Sequence, residues 1–378
     1  MAKKTATATS SIMSALRKQL GSTDLLNSTY ADVKEYISTG MYSLNKIISG
    51  SFYKGVPSGR IMIFFGESQA GKTLVSACVA GNAIKENGYD CVFILDSEGG
   101  VSKKMFDIVK PDLSRIEHVL VESIEDCTVK SRQILDAITE EQKTNPKYKA
   151  LIILDSLGGL VTNKAIVDVQ GGTPKVDRGM RARLCNDMVK GWTVPALKTD
   201  TAIIVLNHVY DDPAAMYVSK IKNQSGGKGV QYMSRLQLQC TRSFDKNLEK
   251  EDAGTGHYKS TTLHVMCTKN NIVRPFFEAH ITVDYATGPN KYSGLFDLCE
   301  KYGLITCPSQ GFYQVKELFG EKKMRRADID TPEVFDKLLP KLEELSKKDI
   351  EYGNGEVPVD DSETEEVPTE HVNLPEAL

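Results

Sequence analysis

Two kinds of hydrophobic pattern alternate along the first half of the chain. Between about residues 60 and 206, five short runs are apolar at nearly every position: IMIFF (61–65), CVFIL (91–95), HVLV (118–121), LIIL (151–154) and AIIVL (202–206). Runs of that kind predict strands buried on both faces. The longer stretches between them, TLVSACVAGNAIKENG with Gly88 as its stop, EDCTVKSRQILDAITEEQ and RGMRARLCNDMVKGWTVPALK, carry helical spacing. Strand, helix and strand in succession predict right-handed βαβ crossovers and a parallel sheet. Past residue 230 the texture changes. RLQLQCTR alternates, and TTLHVMCT and AHITVDY follow with only turns between them, which predicts antiparallel strands extending one sheet edge. From Lys291 on, KYSGLFDLCEKYGLI and TPEVFDKLLPKLEELSKK read as helices around a short GFYQV strand, a small C-terminal α/β unit.

Composition narrows the class. The chain has 378 residues, of which 40% are hydrophobic and 26% charged, enough to bury a large core without staples. Its 8 cysteines show no CxxC spacing and no histidine pairing, which predicts reduced thiols in a cytoplasmic setting rather than a disulfide frame or a zinc site. No apolar run approaches the ~18 residues that would cross a bilayer. The N-terminal MAKKTATATSSIMSALRKQL is basic and Ser/Thr-rich; it fits either a transit segment or a short amphipathic helix used as an arm. The net charge of −3 argues against a nucleic-acid partner, but its distribution reverses that. Residues 349–378 hold ten of the 50 acidic residues and none of the 47 basic ones, leaving the body net basic by seven. That tail is too polar to pack and reads as a solubilising end or as a tethered competitor for a cationic groove.

The sharpest chemical signal is GESQAGKT at Gly66–Thr73, after one apolar strand and before a helix. In G-x-x-x-x-G-K-[ST], backbone N–H groups from Glu67, Ser68, Gln69, Ala70, Gly71, Lys72 and Thr73 curl around an anion, and the new helix adds its positive end. Lys72 would reach the terminal phosphates of ATP, and the Thr73 hydroxyl would hold Mg²⁺. Asp155, closing the buried run LIILDS, supplies a second oxygen for that metal. Glu98, just beyond the strand CVFILD, is placed either to orient a water for attack on a γ-phosphate or to cap a helix. His208, after AIIVL, is either a solvated loop side chain or a γ-phosphate sensor at the root of the long segment YDDPAAMYVSKIKNQSGGKGVQ.

Taken in order, these motifs resemble the RecA-type strand-exchange recombinases, from about Gly40 to Tyr313. GESQAGKT looks like the family's Walker A, CVFILDSEGG its catalytic-glutamate strand and LIILDSLGGL its Walker B. AIIVLNHVY resembles the strand leading to the second DNA-binding loop, and CTKNNIVRPFF the segment that completes a neighbour's ATP site. YATGPNKYSGLFDLCEKYGLI resembles the exit from the core. The resemblance implies a RecA-type P-loop ATPase core at 36–288, an oligomerisation arm at 1–35, a small C-terminal domain at 289–348 and an acidic tail at 349–378. It assigns water activation to Glu98 and sensing to His208, where bacterial members usually have Gln and the phage branch has His. Lys269 falls where a lysine reaches the next subunit's γ-phosphate. Its usual basic companion two places on is Asn271 here, with Arg274 the nearby candidate. On the adenine side the usual tyrosine is Met105, and Tyr285 matches a second tyrosine near the base. The implied DNA contacts are Lys164, Lys175 and Arg178 in a first loop, and Met216, Tyr217, Lys220, Lys222, Gly226, Gly227 and Lys228 in a second. The implied partners are single-stranded DNA, homologous duplex, further copies of the chain in a helical filament, a single-strand binding protein and a mediator.

Two other readings share the motifs. A ring helicase uses the same core and would form closed hexamers. A small-molecule P-loop kinase would need a second substrate pocket and an arginine-rich lid, and its turnover would ignore DNA.

Overall fold

The computed structural model of the chain describes residues 13–22, 27–172, 179–210, 220–243 and 259–350. Helix α1 covers 13–20. The core then runs β1 (Tyr36–Ile37), α2 (Tyr42–Ser49), β2 (Val56–Pro57), β3 (Ile61–Gly66), α3 (Lys72–Lys85), β4 (Cys91–Asp96), β5 (Ile116–Leu120), α4 (Ile124–Thr144) and β6 (Ala150–Asp155). It continues with α5 (Asn163–Gln170), α6 (Met180–Thr199), β7 (Ala202–Tyr210), β8 (Asn223–Gln224), α7 (Lys228–Met233), β9 (Leu236–Ser243), β10 (Ser260–Asn270), β11 (Glu278–Asp284) and β12 (Gly288–Pro289). After α8 (Leu295–Lys301), β13 (Thr306–Ser309) and β14 (Phe312–Gln314) come α9 (Lys316–Phe319), α10 (Arg326–Ile329) and α11 (Pro332–Ile350).

The main sheet has the order β12-β11-β10-β9-β3-β7-β6-β4-β5, with β8 pairing on the end of β7. Its middle is buried on both sides, as the continuous apolar runs require. Met62 and Phe64 of β3 face one apolar cluster, shared with α2 and α3, while Ile61, Ile63 and Phe65 face a second, shared with α4 and α6. The same period-two division holds along β6 and β7. A third cluster joins Leu295, Phe296, Phe335, Leu338 and Leu342 to Phe52. Arg60 Nη2 donates to the carbonyls of Tyr30, Ala31 and Asp32, fastening the chain that enters the core.

Two strand expectations need correcting. HVLV is not a doubly buried strand: β5 is the sheet edge, starts at Ile116, and leaves Leu120 61% exposed. And β9 is not antiparallel throughout. It pairs in parallel with β3 and antiparallel with β10, so it is the point where the sheet changes sense. The β10–β11 and β11–β12 pairs are antiparallel, as the alternating texture predicts.

Candidate nucleotide site

Four parallel strands deliver their carboxyl ends to one edge of the sheet, the position where open α/β sheets bind ligands. β3 ends in the Gly66–Thr73 loop, β4 leads to Glu98, β6 ends at Asp155 and β7 carries His208. The register makes them neighbours: Gly66 lies beside His208, and Asp96 beside Asp155.

Within the loop, Glu67, Ser68 and Gln69 are exposed and Ala70 is buried. Gly71 adopts φ 77°, where a side chain is strained, and a Cβ there would lie 2.5 Å from Leu263 Cδ1 and have to displace it. α3 begins at once, 14 residues long with no acidic side chain in its first turn, leaving its positive end facing the loop. Lys72 Nζ donates to the carbonyls of Gly66 (2.9 Å) and Glu67 (2.7 Å). Thr73 Oγ1 donates to Asp155 Oδ2 at 2.8 Å. Burial pushes the Lys72 ammonium below its ordinary pKa. Burial likewise raises the Asp155 carboxyl above the usual carboxylate range, against the Thr73 hydrogen bond. Among the described residues neither the Lys72 ammonium nor the Asp155 carboxylate is in an ion pair, although each feels the other's charge. A polyphosphate chelating a divalent metal supplies a partner for each, so these residues fit Mg²⁺–ATP.

Glu98 is held by two partners. The Ser156 hydroxyl donates to its Oε1, and His208 Nε2 lies 2.8 Å from the same atom. Burial pulls its pKa upward, but the hydrogen bonds from Ser156 and His208 outweigh this and hold it below the usual glutamate value. The loop carrying Glu98 is itself clamped by Asp96, a residue with no role in the sequence reading. Its buried carboxylate accepts from the backbone N–H of Glu98 (2.9 Å), Gly99 (2.7 Å) and Val101 (3.3 Å), and meets His118 Nε2 at 2.9 Å. Ser97 Oγ donates to the Ser156 carbonyl at 2.8 Å and joins the two strand ends.

His208 is not a loop residue. β7 continues through Asn207, His208 and Val209 to Tyr210, and β8 pairs back on it. Its carbonyl accepts from the Ser225 N–H (3.0 Å), and Asn207 Nδ2 donates to the Ser225 carbonyl (2.8 Å). Arg181, another residue missing from the sequence reading, ties the same region together. Its guanidinium donates to the carbonyls of Leu157, Gly158 and Leu160, and to Ser225 Oγ at 3.0 Å. No local motif marks an arginine of that kind.

The expected DNA loops lie partly within the described residues. Residues 163–170, read as loop, form α5, capped by Thr162, and Lys164 pairs with Asp168 at 3.0 Å. Lys175, Arg178, Met216 and Tyr217 lie outside the described residues. Lys220 pairs with Glu278 at 2.5 Å, and the Lys222 N–H donates to Gln239 Oε1. Gly226 and Gly227 take φ 87° and 84°, and Lys228 opens α7.

The remaining predicted residues are dispersed. Lys269 follows a bulge in β10, and its ammonium donates to the carbonyls of Gln231 (2.9 Å), Tyr232 (3.2 Å) and Ser234 (2.7 Å) at the end of α7. Burial, with Arg235 nearby, depresses its pKa. Arg274 donates to the Asp349 carbonyl at the end of α11. Met105 packs against the α3 side of the core, and the Tyr285 hydroxyl accepts from Arg242 at 2.6 Å.

Fold and site define a P-loop ATPase whose nucleotide edge is wired into a neighbouring surface segment. Sequence comparison supplies the family: the RecA N-terminal domain model matches residues 7–290, and the chain belongs to the RecA family. It is similar to Protein RecA of Aquifex aeolicus, 26% identical over 327 residues, covering 85% of this chain and 88% of that protein. Protein RecA of Leptospira biflexa is 23% identical over 344 residues, covering 88% and 81%. The Streptomyces venezuelae protein is 23% identical over 312 residues, covering 82% and 76%.

Proposed function

We propose that this protein is an ATP-dependent homologous recombination protein that coats single-stranded DNA as a helical filament and pairs it with homologous duplex. We place it closest to the T4-like phage recombinase UvsX, a placement supported by His208 at the sensing position. As a RecA-family protein it is a DNA-dependent ATPase. The observation that carries the mechanism is the continuous path from Glu98 through His208 to Ser225, at the foot of the second candidate DNA loop.

Lys72 and the backbone of Gly66–Thr73 would hold the triphosphate, and Thr73 with Asp155 would hold Mg²⁺. When bound, the pair supplies the hydrolysable anhydride and the charge that offsets it. Glu98, kept anionic by Ser156 and His208, orients a water and accepts its proton. His208 Nε2, which meets Glu98, would turn to the γ-phosphate when ATP is bound. A change of partner there shifts the end of β7, and the shift reaches residues 223–225 through backbone hydrogen bonds, a two-state element that both sites bias. In the filament Lys269 would leave the α7 carbonyls for a neighbour's site, with Arg274 as the companion cation. Met105 and Tyr285 would flank the base. Lys164, Lys175, Arg178, Lys220, Lys222 and Lys228 would track the phosphate backbone while Met216 or Tyr217 wedges between bases. The arm at 1–35, the core at 36–288, the unit at 289–348 and the acidic tail complete the reading. So do a cytoplasmic location and, as further partners, a single-strand binding protein and a mediator.

ATP turnover with and without single-stranded DNA, followed by electron microscopy of the same sample, tests this. Stimulated turnover and extended filaments are expected. Closed hexamers that unwind a fork would favour the helicase, and turnover indifferent to DNA would favour the kinase.

A further inference from the structure

On the sheet edge far from β4 and β6, two histidines face each other across the β10–β11 pair. His264 and His280 are direct register partners, with ring centroids 4.8 Å apart. Glu278 lies two residues from His280 on the same face of β11. Each of the three offers a ligand atom, and these atoms lie within 4.8 Å of one another. We propose that His264, Glu278 and His280 form a binding site for a first-row divalent transition metal, Zn²⁺ being the best match, and that the ion braces the foot of the 210–229 segment.

Ligand chemistry favours this. Two imidazoles and a carboxylate with an open position are a recurring zinc set, whereas the hard ion Mg²⁺ prefers oxygen. His264 Nε2 already lies 3.0 Å from Glu278 Oε2. Metal bonds of about 2.0–2.2 Å place tetrahedral ligands roughly 3.3 Å apart, so an ion fits between these atoms with little movement. His280 is exposed and free to close the remaining gap. The other nitrogen of His264, Nδ1, lies 3.3 Å from Thr241 Oγ1 on β9. A hydrogen bond there is the outer-shell contact that leaves Nε2 directed at a metal.

The surroundings give the site a consequence. The second carboxylate oxygen of Glu278 holds Lys220 at 2.5 Å, so metal on Oε2 leaves that pair intact. Gln239 of β9, on the same face as Thr241, donates to the Lys220 carbonyl (2.9 Å) and accepts from the Lys222 N–H (2.8 Å). An ion locking Glu278 to two strands therefore fixes the anchor of Lys220. The site is independent of the nucleotide reading, because its occupancy is measured without nucleotide or DNA.

The test is titration of the EDTA-treated full chain with Co²⁺ in excess Mg²⁺, followed by visible absorption. One equivalent with d–d bands and no sulfur charge-transfer band is expected. In H264A/H280A the affinity should fall at least about a hundredfold, and in T241V roughly tenfold. Equal binding by H264A/H280A overturns the proposal. So does absorption that vanishes instead on C307S, Cys307 being the exposed thiol. Should the double variant fail to fold, Co²⁺ protection of His264 and His280 from diethyl pyrocarbonate in the unaltered chain makes the same distinction. Zn²⁺ should also slow amide exchange at residues 220–224, and unchanged exchange there refutes the bracing.

Discussion

The contact between His208 and Glu98 can be broken without touching either residue. Gly158 lies against the imidazole: a Cβ built there would sit 2.3 Å from His208 Cδ2 and 3.0 Å from its Cβ and Cγ. Its φ lies outside the left-handed region, so alanine is acceptable to the backbone and the clash alone acts. To restore an ordinary contact of about 3.4 Å or more the ring must move roughly an ångström, enough to lose its 2.8 Å bond to Glu98. A hydrogen bond to a charged group is worth about 1.5–3 kcal/mol net. Here the side chains are 35% and 41% exposed, so solvent screening brings this nearer ~1 kcal/mol, about fivefold. Gly158→Ala should therefore lower the ratio of DNA-stimulated to basal ATP turnover about fivefold. His208→Ala should lower it by a similar factor, and the double variant should be no worse than the poorer single, since both remove one contact. The assay is steady-state phosphate release across a single-stranded DNA titration. Full stimulation in Gly158→Ala, or additive losses in the double variant, would refute the proposed path from Glu98 to the loop.

Other outcomes follow from the same geometry. Lys72→Ala should abolish DNA-stimulated turnover, checked by phosphate release. Asp155 has a raised folded pKa, so the folded state binds its proton more tightly than the unfolded state. Its contribution to stability is present at low pH and declines as pH rises through that raised pKa. Asp155→Asn should therefore raise the thermal midpoint of the nucleotide-free protein at neutral pH while eliminating Mg²⁺-dependent turnover. Both are read by calorimetry and phosphate release. Glu98, with its pKa lowered, stays ionised below the usual glutamate range, so the acid limb of the turnover profile should shift upward in Ser156→Ala, which removes one hydrogen bond. Deleting residues 349–378 should tighten DNA binding at moderate salt through loss of competing charge, measured by fluorescence anisotropy.

The buried strands and the phosphate loop were legible in the sequence because both are local. Continuous apolarity requires cover on two faces, and the Gly66–Thr73 spacing specifies a loop whose backbone must face an anion. Asp155 and Glu98 were readable for the same reason, as acids at strand ends. What the sequence left open depends on which strands become neighbours. HVLV looks like a core strand, yet it is the edge, because among the described residues nothing follows it in the sheet order. His208 reads as loop until β8 folds back on it, and its bond to Glu98 joins residues 110 positions apart. Asp96, His118 and Arg181 carry no motif, since their value lies in carbonyls and N–H groups that only packing brings within reach. Lys269 turns toward α7 because a bulge shifts the register of β10. The pairing of His264 with His280 is likewise a matter of cross-strand register, which local pattern constrains only to one face or the other.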